Sequence, residues 1–264
     1  MKAEQIFDVT GRVAIVTGAA SGLGLAMAEV MAENGARVTL ADKDEAGLER
    51  AVARLHQAGC AVEAAHVDVA NLDQLRAMID GVAARHGRLD VAFANAGISA
   101  GPGFGTAEGQ MDAVLHAKWS EVLHINLSSV FETVRAASVP MKKQRSGRII
   151  VTASVAGLKA ERMVGYAYAA TKAAVINIVR LAALELAPSN VMVNAIAPGP
   201  FLTNIAGGRL HREPEVVRQF ERMVPLGRIA HTDELKGLAL LLASPASSFI
   251  TGTVIPIDGG IMAG

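Results

Sequence analysis

Residues 12–36 read RVAIVTGAASGLGLAMAEVMAENGA, and this stretch decides the fold. Residues 12–18 form an apolar run that is typical of a buried strand. A glycine-rich turn follows, and residues 22–36 then predict a helix that stops at Gly35. A strand that passes through such a turn into a helix is the repeating unit of a parallel α/β sheet.

The rest of the chain repeats this alternation of short apolar runs and longer amphipathic segments. Because the predicted strands are apolar throughout, we expect a parallel sheet with helices on both faces. The fold class is therefore α/β, a single doubly wound Rossmann-type domain over 1–264 with about seven strands. Its cofactor half is predicted at 11–100 and its catalytic and substrate half at 101–264. Further strands are predicted at 37–42, 61–69, 89–97, 147–154, 191–199 and 252–260, and helices at 45–59, 71–87, 118–145, 165–187 and 232–243.

Charge and cysteine content argue against several classes of protein. The 25 basic and 25 acidic residues balance without a block of like charge, so nucleic acid or an anionic membrane is not expected as main partner. Cys60 is the only cysteine, which rules out an intrachain disulfide and favours a cytoplasmic location. No signal peptide and no apolar run of membrane-spanning length is expected. The seven histidines are scattered, so no metal site is predicted.

The turn after the first strand has the spacing GxxxGxG, at Gly18, Gly22 and Gly24. Glycines there let the backbone approach a pyrophosphate, and the following helix offers free N–H groups and a favourable dipole. The spacing differs from GxGxxG, and three glycines alone would equally fit a tight connection. The strand before them and the helix after them favour a dinucleotide-binding turn.

Asp42 ends the second strand, eighteen residues after Gly24. A carboxylate at this place accepts hydrogen bonds from the adenosine ribose hydroxyls and repels a 2′-phosphate. The residue therefore favours NAD over NADP as the cofactor, although the neighbouring Lys43 could help to hold a phosphate. The alternative, that Asp42 is a solvated turn residue, fits the spacing less well.

The only two tyrosines of the chain lie two residues apart, at Tyr166 and Tyr168. A phenol with a pKa near 10 needs a nearby cation to act as a base at neutral pH. Lys172 lies at i+4 from Tyr168, on the same face of the predicted helix, whereas Tyr166 points about 200° away. We therefore predict Tyr168 as the acid and base, Lys172 as its activator, and Tyr166 as a packing or pocket-wall residue.

Five segments in order resemble the short-chain dehydrogenase/reductase family. They are TGAASGLG (17–24), NAG (95–97), YAATK (168–172), PG (198–199) and ITGTVIPIDGG (250–260). Each segment is modest alone, but together they cover nearly the whole chain. The resemblance implies a nicotinamide-dependent oxidoreductase that acts on an alcohol or a carbonyl group, and commonly a homotetramer or homodimer.

The resemblance also assigns roles to single residues. Asp68 would bind the adenine amino group with Val69 beside it, although a strand-end cap is the competing interpretation for Asp68. Ile196 would hold the nicotinamide carboxamide through its backbone, and Thr203 would assist. The other cofactor-binding positions implied are Gly18, Ser21, Gly22, Leu23, Gly24, Asp42, Asn95, Ala96, Gly97, Tyr168, Lys172, Pro198 and Gly199.

Two more residues complete the implied catalytic set. Ser154, fourteen residues before Tyr168, resembles the serine that hydrogen-bonds the substrate oxygen. Thr152 is a nearby competitor, but a strand residue has a simple structural explanation. Asn126 resembles the helix asparagine of the family, which holds a water that links Lys172 to solvent. An asparagine inside a helix is intrinsically disfavoured, which supports a special role.

Two segments depart from the family pattern or face the substrate. The connection 98–118 is long and rich in glycine, and it fits a pocket wall, an oligomer contact or a tolerated surface insertion. Residues 200–228 resemble the mobile lid of the family. Arg209, His211 and Arg212 in this segment could attract an acidic substrate, but a solvated basic turn balanced by Glu213 and Glu215 is the simpler interpretation. By topology, the candidate substrate residues are Ser99, Val155, Arg162, Met163, Pro200 and Phe201.

The function predicted from these features is NAD-dependent interconversion of a secondary alcohol and a ketone. An alternative within the same fold is an NADP-dependent 3-oxoacyl-(acyl-carrier-protein) reductase. A non-catalytic nucleotide-sensing or scaffold protein is the alternative from a different class, and the complete set of Ser154, Tyr168, Lys172 and Asn126 argues against it.

Overall fold

A seven-stranded parallel sheet forms the centre of the molecule in the computed structural model, which describes residues 2–264 apart from the side chains of Ala206 and Arg209. The strands are β1 (Val13–Thr17), β2 (Arg37–Asp42), β3 (Val62–His66), β4 (Val91–Ala94), β5 (Gly147–Thr152), β6 (Val191–Pro198) and β7 (Val254–Ile257). Their order across the sheet is β3-β2-β1-β4-β5-β6-β7. The order reverses between β1 and β4, which is the switch point of a doubly wound sheet, so the predicted fold class is confirmed.

Helices cover both faces of the sheet. They are α1 (Ala3–Ile6), α2 (Gly22–Glu33), α3 (Glu45–Gln57), α4 (Leu72–His86), α5 (His116–Leu123), α6 (Ser129–Gln144), α7 (Tyr166–Leu186), α8 (Arg209–Arg212), α9 (Pro214–Met223) and α10 (Lys236–Ala243). One core lies between the sheet and α4, α6 and α7. A second core lies between the sheet and α2, α3 and α10. Strands buried on both faces explain why the sequence runs are apolar throughout.

Local signals set the ends of the helices. The Asn71 side chain accepts the Gln74 N–H at 3.0 Å and caps α4, as predicted, and Gly87 ends α4 in the left-handed conformation at φ 67°. Asp44 caps α3 in the same way by accepting the Gly47 N–H at 3.0 Å. These caps fix where α3 and α4 begin, and they lie close to the strand ends that carry the candidate site.

The predicted helix at 118–145 is interrupted in the structure. It consists of α5, a π-helical segment at His124–Ser128, and α6. The interruption includes Asn126. The side chain of this residue forms hydrogen bonds with the backbone of Ile98. A π segment inserts one residue into the turn and commonly marks a functional site.

The segment Tyr166–Ser189 corrects one expectation from the sequence. Its 24 residues are long and apolar enough, by length and composition alone, to cross a membrane, whereas no such run was expected. The same helix α7 places Val175, Val179 and Ala183 in the core under the sheet. Its apolar composition therefore follows from its position as a core helix against β6.

Candidate active site

The candidate catalytic residues meet at the carboxyl ends of the central strands. Ser154 follows β5, Gly97 follows β4, and Tyr168 and Lys172 lie on the first turns of α7. A side chain added at Gly97 would lie 3.3 Å from the Asn126 Oδ1 and 3.8 Å from the Lys172 Nζ. The structure thus brings all four predicted catalytic residues to the edge of the sheet where ligands bind in this architecture.

Tyr168 and Lys172 face each other along one side of α7. The Lys172 Nζ lies 5.4 Å from the centre of the Tyr168 ring. Lys172 is buried, and its ammonium donates to the Thr152 carbonyl oxygen at 2.6 Å. The i to i+4 spacing therefore produces the predicted pairing, and the end of β5 holds the lysine in place.

Burial dominates the protonation of this pair. Burial raises the pKa of the Tyr168 phenol, and hydrogen bonding with Ser154 opposes that change. Burial lowers the pKa of Lys172 from its ordinary 10.5 to about 8. The expectation that the lysine brings the pKa of the phenol down is therefore not met in the protein alone, because burial is the larger cause and the hydrogen bond with Ser154, not the lysine, opposes it. At neutral pH, Tyr168 holds its proton.

Ser154 is buried and held by the turn that it starts. Its Oγ accepts the Ala156 N–H at 3.2 Å, and Ser154 caps the short 3-10 helix Val155–Gly157. The hydroxyl proton remains available for Tyr168 or for a substrate oxygen. Thr152 has the structural role foreseen for it, because its Oγ1 donates to the Asn95 Oδ1 at 3.0 Å.

Asn126 is fully buried and bonds both backbone groups of Ile98. Its Oδ1 accepts the Ile98 N–H at 2.8 Å, and its Nδ2 donates to the Ile98 carbonyl at 2.8 Å. The side-chain amide therefore works as a clamp between the π segment and the chain that leaves β4. This contact places Asn126 beside Gly97, and the Lys172 ammonium lies near the same glycine.

Tyr166 takes part in a different contact. Its ring lies 6.4 Å from the ring of Phe104, centre to centre, at an angle of 35°. The two tyrosines of the chain thus have separate environments, as the helical spacing predicts. Phe104 belongs to the connection 98–118, which packs beside the start of α7.

The glycine turn leads directly into α2. Gly22 has φ +59°, and a side chain at Gly24 would collide with the Gly18 carbonyl oxygen. The Ser21 hydroxyl is exposed and makes no capping hydrogen bond, and Leu23 is half-buried beside it. A side chain at Gly22 would lie 3.4 Å from the Thr203 methyl group. The first turn of α2 therefore has an uncapped end, with Thr203 above it.

Asp42 is anchored to that turn. Its Oδ2 accepts the Ala20 N–H at 3.0 Å, and its Oδ1 accepts the Asp44 N–H at 3.1 Å. The carboxylate thus has a fixed orientation at the end of β2 beside the glycine turn, with Lys43 exposed next to it. Both carboxylate oxygens keep acceptor capacity for a further donor.

Asp68 makes the contact that is expected if it caps the end of its strand, which is the competing interpretation of this residue. Its Oδ1 accepts the Ala70 N–H at 2.9 Å in the turn before α4. The residue is exposed, and Val69 packs against the core. Nothing in this arrangement prevents Asp68 from accepting a further hydrogen bond at its other oxygen.

Asn95 is half-buried, and it links three strand ends. Its Nδ2 donates to the Thr17 carbonyl at 3.0 Å, while its Oδ1 accepts from Thr152. Thr17, which the sequence analysis missed, accepts the N–H groups of Asn95 and Ala96 at 3.0 and 3.2 Å. The position of Thr17 directly before Gly18 was the available signal. Together these bonds hold the turn beside Gly97.

Two predicted positions are wrong. Ile196 lies inside β6, is fully buried, and gives its carbonyl to the Ala153 N–H at 2.8 Å, so its backbone serves the sheet and not a carboxamide. Phe201 is 4% exposed and packs in the core with α2 and α10, so its side chain does not face the substrate side. Pro198 ends β6 and Gly199 follows it, and a side chain at Gly199 would lie 2.8 Å from the Asp258 Cα.

The other candidate substrate residues are dispersed. Val155 is buried after Ser154, Ser99 and Met163 are half-buried, and Arg162 is exposed. Pro200 lines a cavity of about 180 Å³ with Val224, Leu226, Arg228, Ala230, Glu234, Ile257, Asp258 and Gly259. In the segment 200–228, Arg212 bonds the Gly207 carbonyl and His211 is exposed, while the Arg209 side chain lies outside the described residues.

The donor set of the site fits a nicotinamide dinucleotide. The uncapped start of α2, the glycine turn and the fixed Asp42 carboxylate match a pyrophosphate and a ribose. Gly97 leaves open the space between Asn126 and Lys172, which a side chain would partly fill. Within the described part of the chain, no group of three or more His, Cys, Asp or Glu side chains is placed to hold a metal ion.

Comparison with known proteins supports this assignment. A family model described as Enoyl-(Acyl carrier protein) reductase matches residues 18–262. The chain is 35% identical over 254 residues to a 3-oxoacyl-(acyl-carrier-protein) reductase of Thermotoga maritima, covering 96% of this chain and 98% of the relative. It is 36% identical over 256 residues to cis-4-hydroxycyclohexanecarboxylate dehydrogenase of Sinomonas cyclohexanicum, covering 96% and 97%.

A solved structure shows the same fold. The gluconate 5-dehydrogenase from Burkholderia cenocepacia, in complex with NADP and tartrate, superposes with a TM-score of 0.90 at 33% identity over the full length of both chains. The fold and the site thus define an oxidoreductase of Rossmann architecture. More closely, the chain belongs to the short-chain dehydrogenase/reductase family.

Proposed function

We propose that the protein is an NAD-dependent oxidoreductase that interconverts a secondary alcohol and a ketone. The observation that carries the proposal is the pairing of Tyr168 with Lys172 on one face of α7, with Ser154 beside the phenol. A phenol, a hydroxyl and an ammonium group around one point suit proton transfer to or from an oxygen.

Each residue has a defined part in this reaction. Tyr168 donates its proton to the ketone oxygen in reduction and takes the proton from the alcohol in oxidation. Ser154 donates its hydroxyl proton in a hydrogen bond to the same oxygen and so orients the substrate. Lys172, held by the Thr152 carbonyl, stabilises the phenolate form of Tyr168. The nicotinamide, when bound, supplies hydride acceptance or donation.

The preference for NAD rests on Asp42. Its carboxylate is fixed beside the glycine turn by two backbone N–H groups, so it cannot swing away from a bound adenosine ribose without losing them. A 2′-phosphate at that place would meet this negative charge. The remaining cofactor contacts, from Gly18, Gly22, Thr203 and Asp68, serve either dinucleotide.

The second candidate is an NADP-dependent 3-oxoacyl-(acyl-carrier-protein) reductase. It is favoured by the similarity to the Thermotoga maritima reductase and by the NADP in the Burkholderia cenocepacia structure. Lys43, exposed directly after Asp42, is the residue of this chain that could offset the carboxylate toward a phosphate. The two candidates differ in cofactor and in the size of the substrate.

One set of assays decides between these candidates. Oxidation of cyclic and acyclic secondary alcohols, and reduction of ketones and of an acetoacetyl thioester, are followed through NADH or NADPH absorbance. We expect kcat/KM to be at least about tenfold higher with NAD than with NADP. A strong NADPH preference with the thioester as the best substrate would replace the first candidate by the second.

A substitution tests the catalytic role. Tyr168→Phe is expected to lower kcat by at least about 100-fold, because the proton donor is lost while the ring is kept. Binding of NADH, measured by fluorescence titration, and thermal unfolding serve as controls and are expected to stay near wild type. Unchanged turnover by Tyr168→Phe would refute the mechanism. Cofactor binding by wild type without turnover of any substrate would favour the nucleotide-sensing alternative.

We further propose a homotetrameric or homodimeric assembly in the cytoplasm. The support for assembly is the apolar surface of α6 and α7, where Phe131, Val139, Leu181 and Leu184 are exposed by 52, 61, 62 and 76%. Exposed apolar side chains on neighbouring helices are typical of a protein interface. The support for the location is the single cysteine of the chain.

A further inference from the structure

A cavity lies at the edge of the sheet opposite the candidate active site. Arg12 directly precedes β1, Asp90 directly precedes β4, and Arg148 is the second residue of β5. Because the strands are parallel, their amino ends share one edge, and these three residues line a cavity of about 210 Å³. Ser154 lies six residues after Arg148, which is about 20 Å along an extended chain. The cavity is therefore separate from the proposed catalytic site.

Among the described residues that line this cavity, Asp90 is the one acidic side chain, and its neighbours already use its oxygens. Its Oδ2 accepts the Val13 N–H at 2.9 Å and the Arg88 Nε–H at 2.8 Å. Its Oδ1 accepts from Arg88 at 2.6 Å and from Arg12 at 3.3 Å. Asp90 is 2% exposed, so two guanidinium groups share this one buried charge.

Arg148 brings a third guanidinium that has no carboxylate of its own. Within the part of the chain that the structure describes, this group forms no ion pair, and it donates to the neutral Ser247 hydroxyl at 3.1 Å. Burial, and after it the like charge of Arg12, lowers the pKa of Arg148 from 12.5 to about 10. The group still carries its charge at neutral pH, so its lost hydration is not repaid by an opposite charge.

The charge and the size of the cavity suit a small anion. The guanidinium groups of Arg12, Arg88 and Arg148, set against one carboxylate, leave two positive charges in excess. Planar guanidinium groups pair with oxyanions through parallel, charge-assisted hydrogen bonds. Ser146 and Ser248 add hydroxyl groups to the lining. A water fills about 30 Å³ of liquid, so the cavity admits an anion of a few heavy atoms and is smaller than the usual pocket for a nucleotide-sized ligand.

We propose that this cavity is a binding site for a tetrahedral oxyanion with two negative charges, phosphate or sulfate, which Arg148 and Arg12 hold. The bound anion supplies the opposite charge that Arg148 lacks, and it joins the amino ends of β1, β4 and β5. Because it binds the folded chain and not the unfolded one, the anion stabilises the protein. It takes no part in catalysis, so this inference is independent of the proposed function.

Calorimetric titration measures the binding directly. The cofactor-free protein is titrated with inorganic phosphate and, separately, with sulfate, while chloride keeps the ionic strength constant. We expect a Kd of about 1 mM or below for at least one of the two anions, and the tighter of the two is the ligand. Arg148→Met should raise that Kd by at least about tenfold, because a hydrogen bond to a charged group is lost. Arg50→Met removes an exposed arginine of α3 and, as the matched control, should leave the Kd unchanged.

Thermal unfolding is the second measurement. Arg148→Met is expected to fold, because it removes a buried charge and Ser247 keeps its hydrogen bonds to the Leu242 and Ser244 carbonyls. In about 20 mM of the anion, the Tm of wild type should rise by about 2 to 4 °C more than that of Arg148→Met. The general stabilising effect of phosphate and sulfate acts on both proteins alike, so the comparison removes it. Arg12→Gln provides a second variant, in which the Kd should also rise.

The glycine turn before α2 is a second place where an oxyanion can bind, and Arg148→Met leaves that turn intact. Binding that persists with equal Kd in Arg148→Met therefore belongs elsewhere and overturns the proposal. The same holds if wild type binds neither anion at millimolar concentration, or if the Tm of wild type and Arg148→Met rises equally. Binding that is weakened in Arg148→Met and Arg12→Gln but kept in Arg50→Met supports the site. None of these outcomes depends on turnover or on the identity of the cofactor.

Discussion

At the scale of single residues, the most unusual feature is a buried lysine. Lys172 is 3% exposed, and its polar contact is the Thr152 carbonyl. A buried ammonium without a carboxylate partner lowers stability, because its hydration is only partly replaced. The lowered pKa, about 8, expresses that penalty. A protein retains such a group where its chemistry is needed, which fits the proposed role beside Tyr168.

Replacement of this lysine predicts a gain in stability. Lys172→Met should raise the free energy of unfolding of the cofactor-free protein by about 1 to 3 kcal/mol at pH 7, while activity is lost. The folded pKa, about 8, lies below the ordinary 10.5, so the penalty is complete below pH 8 and fades as pH rises toward 10.5.

Urea unfolding of both proteins at several pH values checks this sign. The matched control is Lys43→Met, which replaces an exposed lysine and should alter stability little. A Lys172→Met variant that is less stable than wild type at pH 7, or a difference that grows with pH, would contradict the argument.

Asp42 gives a second prediction at this scale. Asp42→Ala should lower the ratio of kcat/KM with NAD to that with NADP by at least about tenfold, because the charge that repels the 2′-phosphate is removed. Asp44→Ala is the matched control, since Asp44 is an exposed carboxylate that caps α3. It should cost about 1 kcal/mol of stability and leave the ratio unchanged. Equal ratios in wild type and Asp42→Ala would exclude Asp42 as the selector.

At the scale of elements, the junction of β1 with α2 depends on the missing side chain of Gly24. The helix approaches the strand so closely that a methyl group there would meet the Gly18 carbonyl and the Asn95 Nδ2. Asn95 in turn bonds Thr17 and Thr152. A change at this junction is therefore transmitted to three strand ends.

The corresponding substitution should both destabilise and weaken binding. Gly24→Ala is expected to lower the free energy of unfolding by about 1 to 3 kcal/mol through overpacking, and to weaken NADH binding. Gly81→Ala in α4 is the matched control, because a methyl group there finds only the Arg85 side chain at 3.9 Å. That variant should be more stable by about 0.5 to 1 kcal/mol. Chemical denaturation and NADH titration measure both effects, and equal stability changes would disprove the packing argument.

At the scale of the whole molecule, two helices that cover one of the cores carry large apolar side chains on their outer surface. α6 and α7 bury one face under the sheet, yet both present large apolar side chains to solvent. For α7 this explains why the helix meets the length and composition of a membrane span. Packing of a second copy of the chain against this surface would equally explain the apolar composition of α7.

The assembly is tested by a charge on that surface. Leu184→Glu should shift the protein to a smaller species in size-exclusion chromatography, because a carboxylate at an apolar contact loses its hydration. Gln57→Glu introduces the same charge on exposed α3 and should leave the elution volume unchanged. A wild-type protein that elutes as a monomer would refute the proposed assembly.

Much of the site could be predicted because it depends on short-range geometry. The pairing of Tyr168 with Lys172 follows from the helical repeat, and the glycine turn follows from its place between a strand and a helix. The errors lie where a residue is two or three positions from a strand end. Ile196 lies just inside β6, and Phe201 turns back into the core beside Ala230. No local sequence pattern indicates whether the side chain of such a residue points into the core or toward the site.

The sequence by itself determined the alternation of strands and helices, the parallel sheet and the pairing of Tyr168 with Lys172, because each rests on periodicity or spacing within one segment, whereas Ser154 and Asn126 were identified by the resemblance to the family. Only the tertiary structure decided the protonation of Tyr168 and Lys172, since burial depends on which elements cover them. It also decided that the connection 98–109 docks on the start of α7. Burial and docking are contacts between distant parts of the chain, which no local pattern encodes.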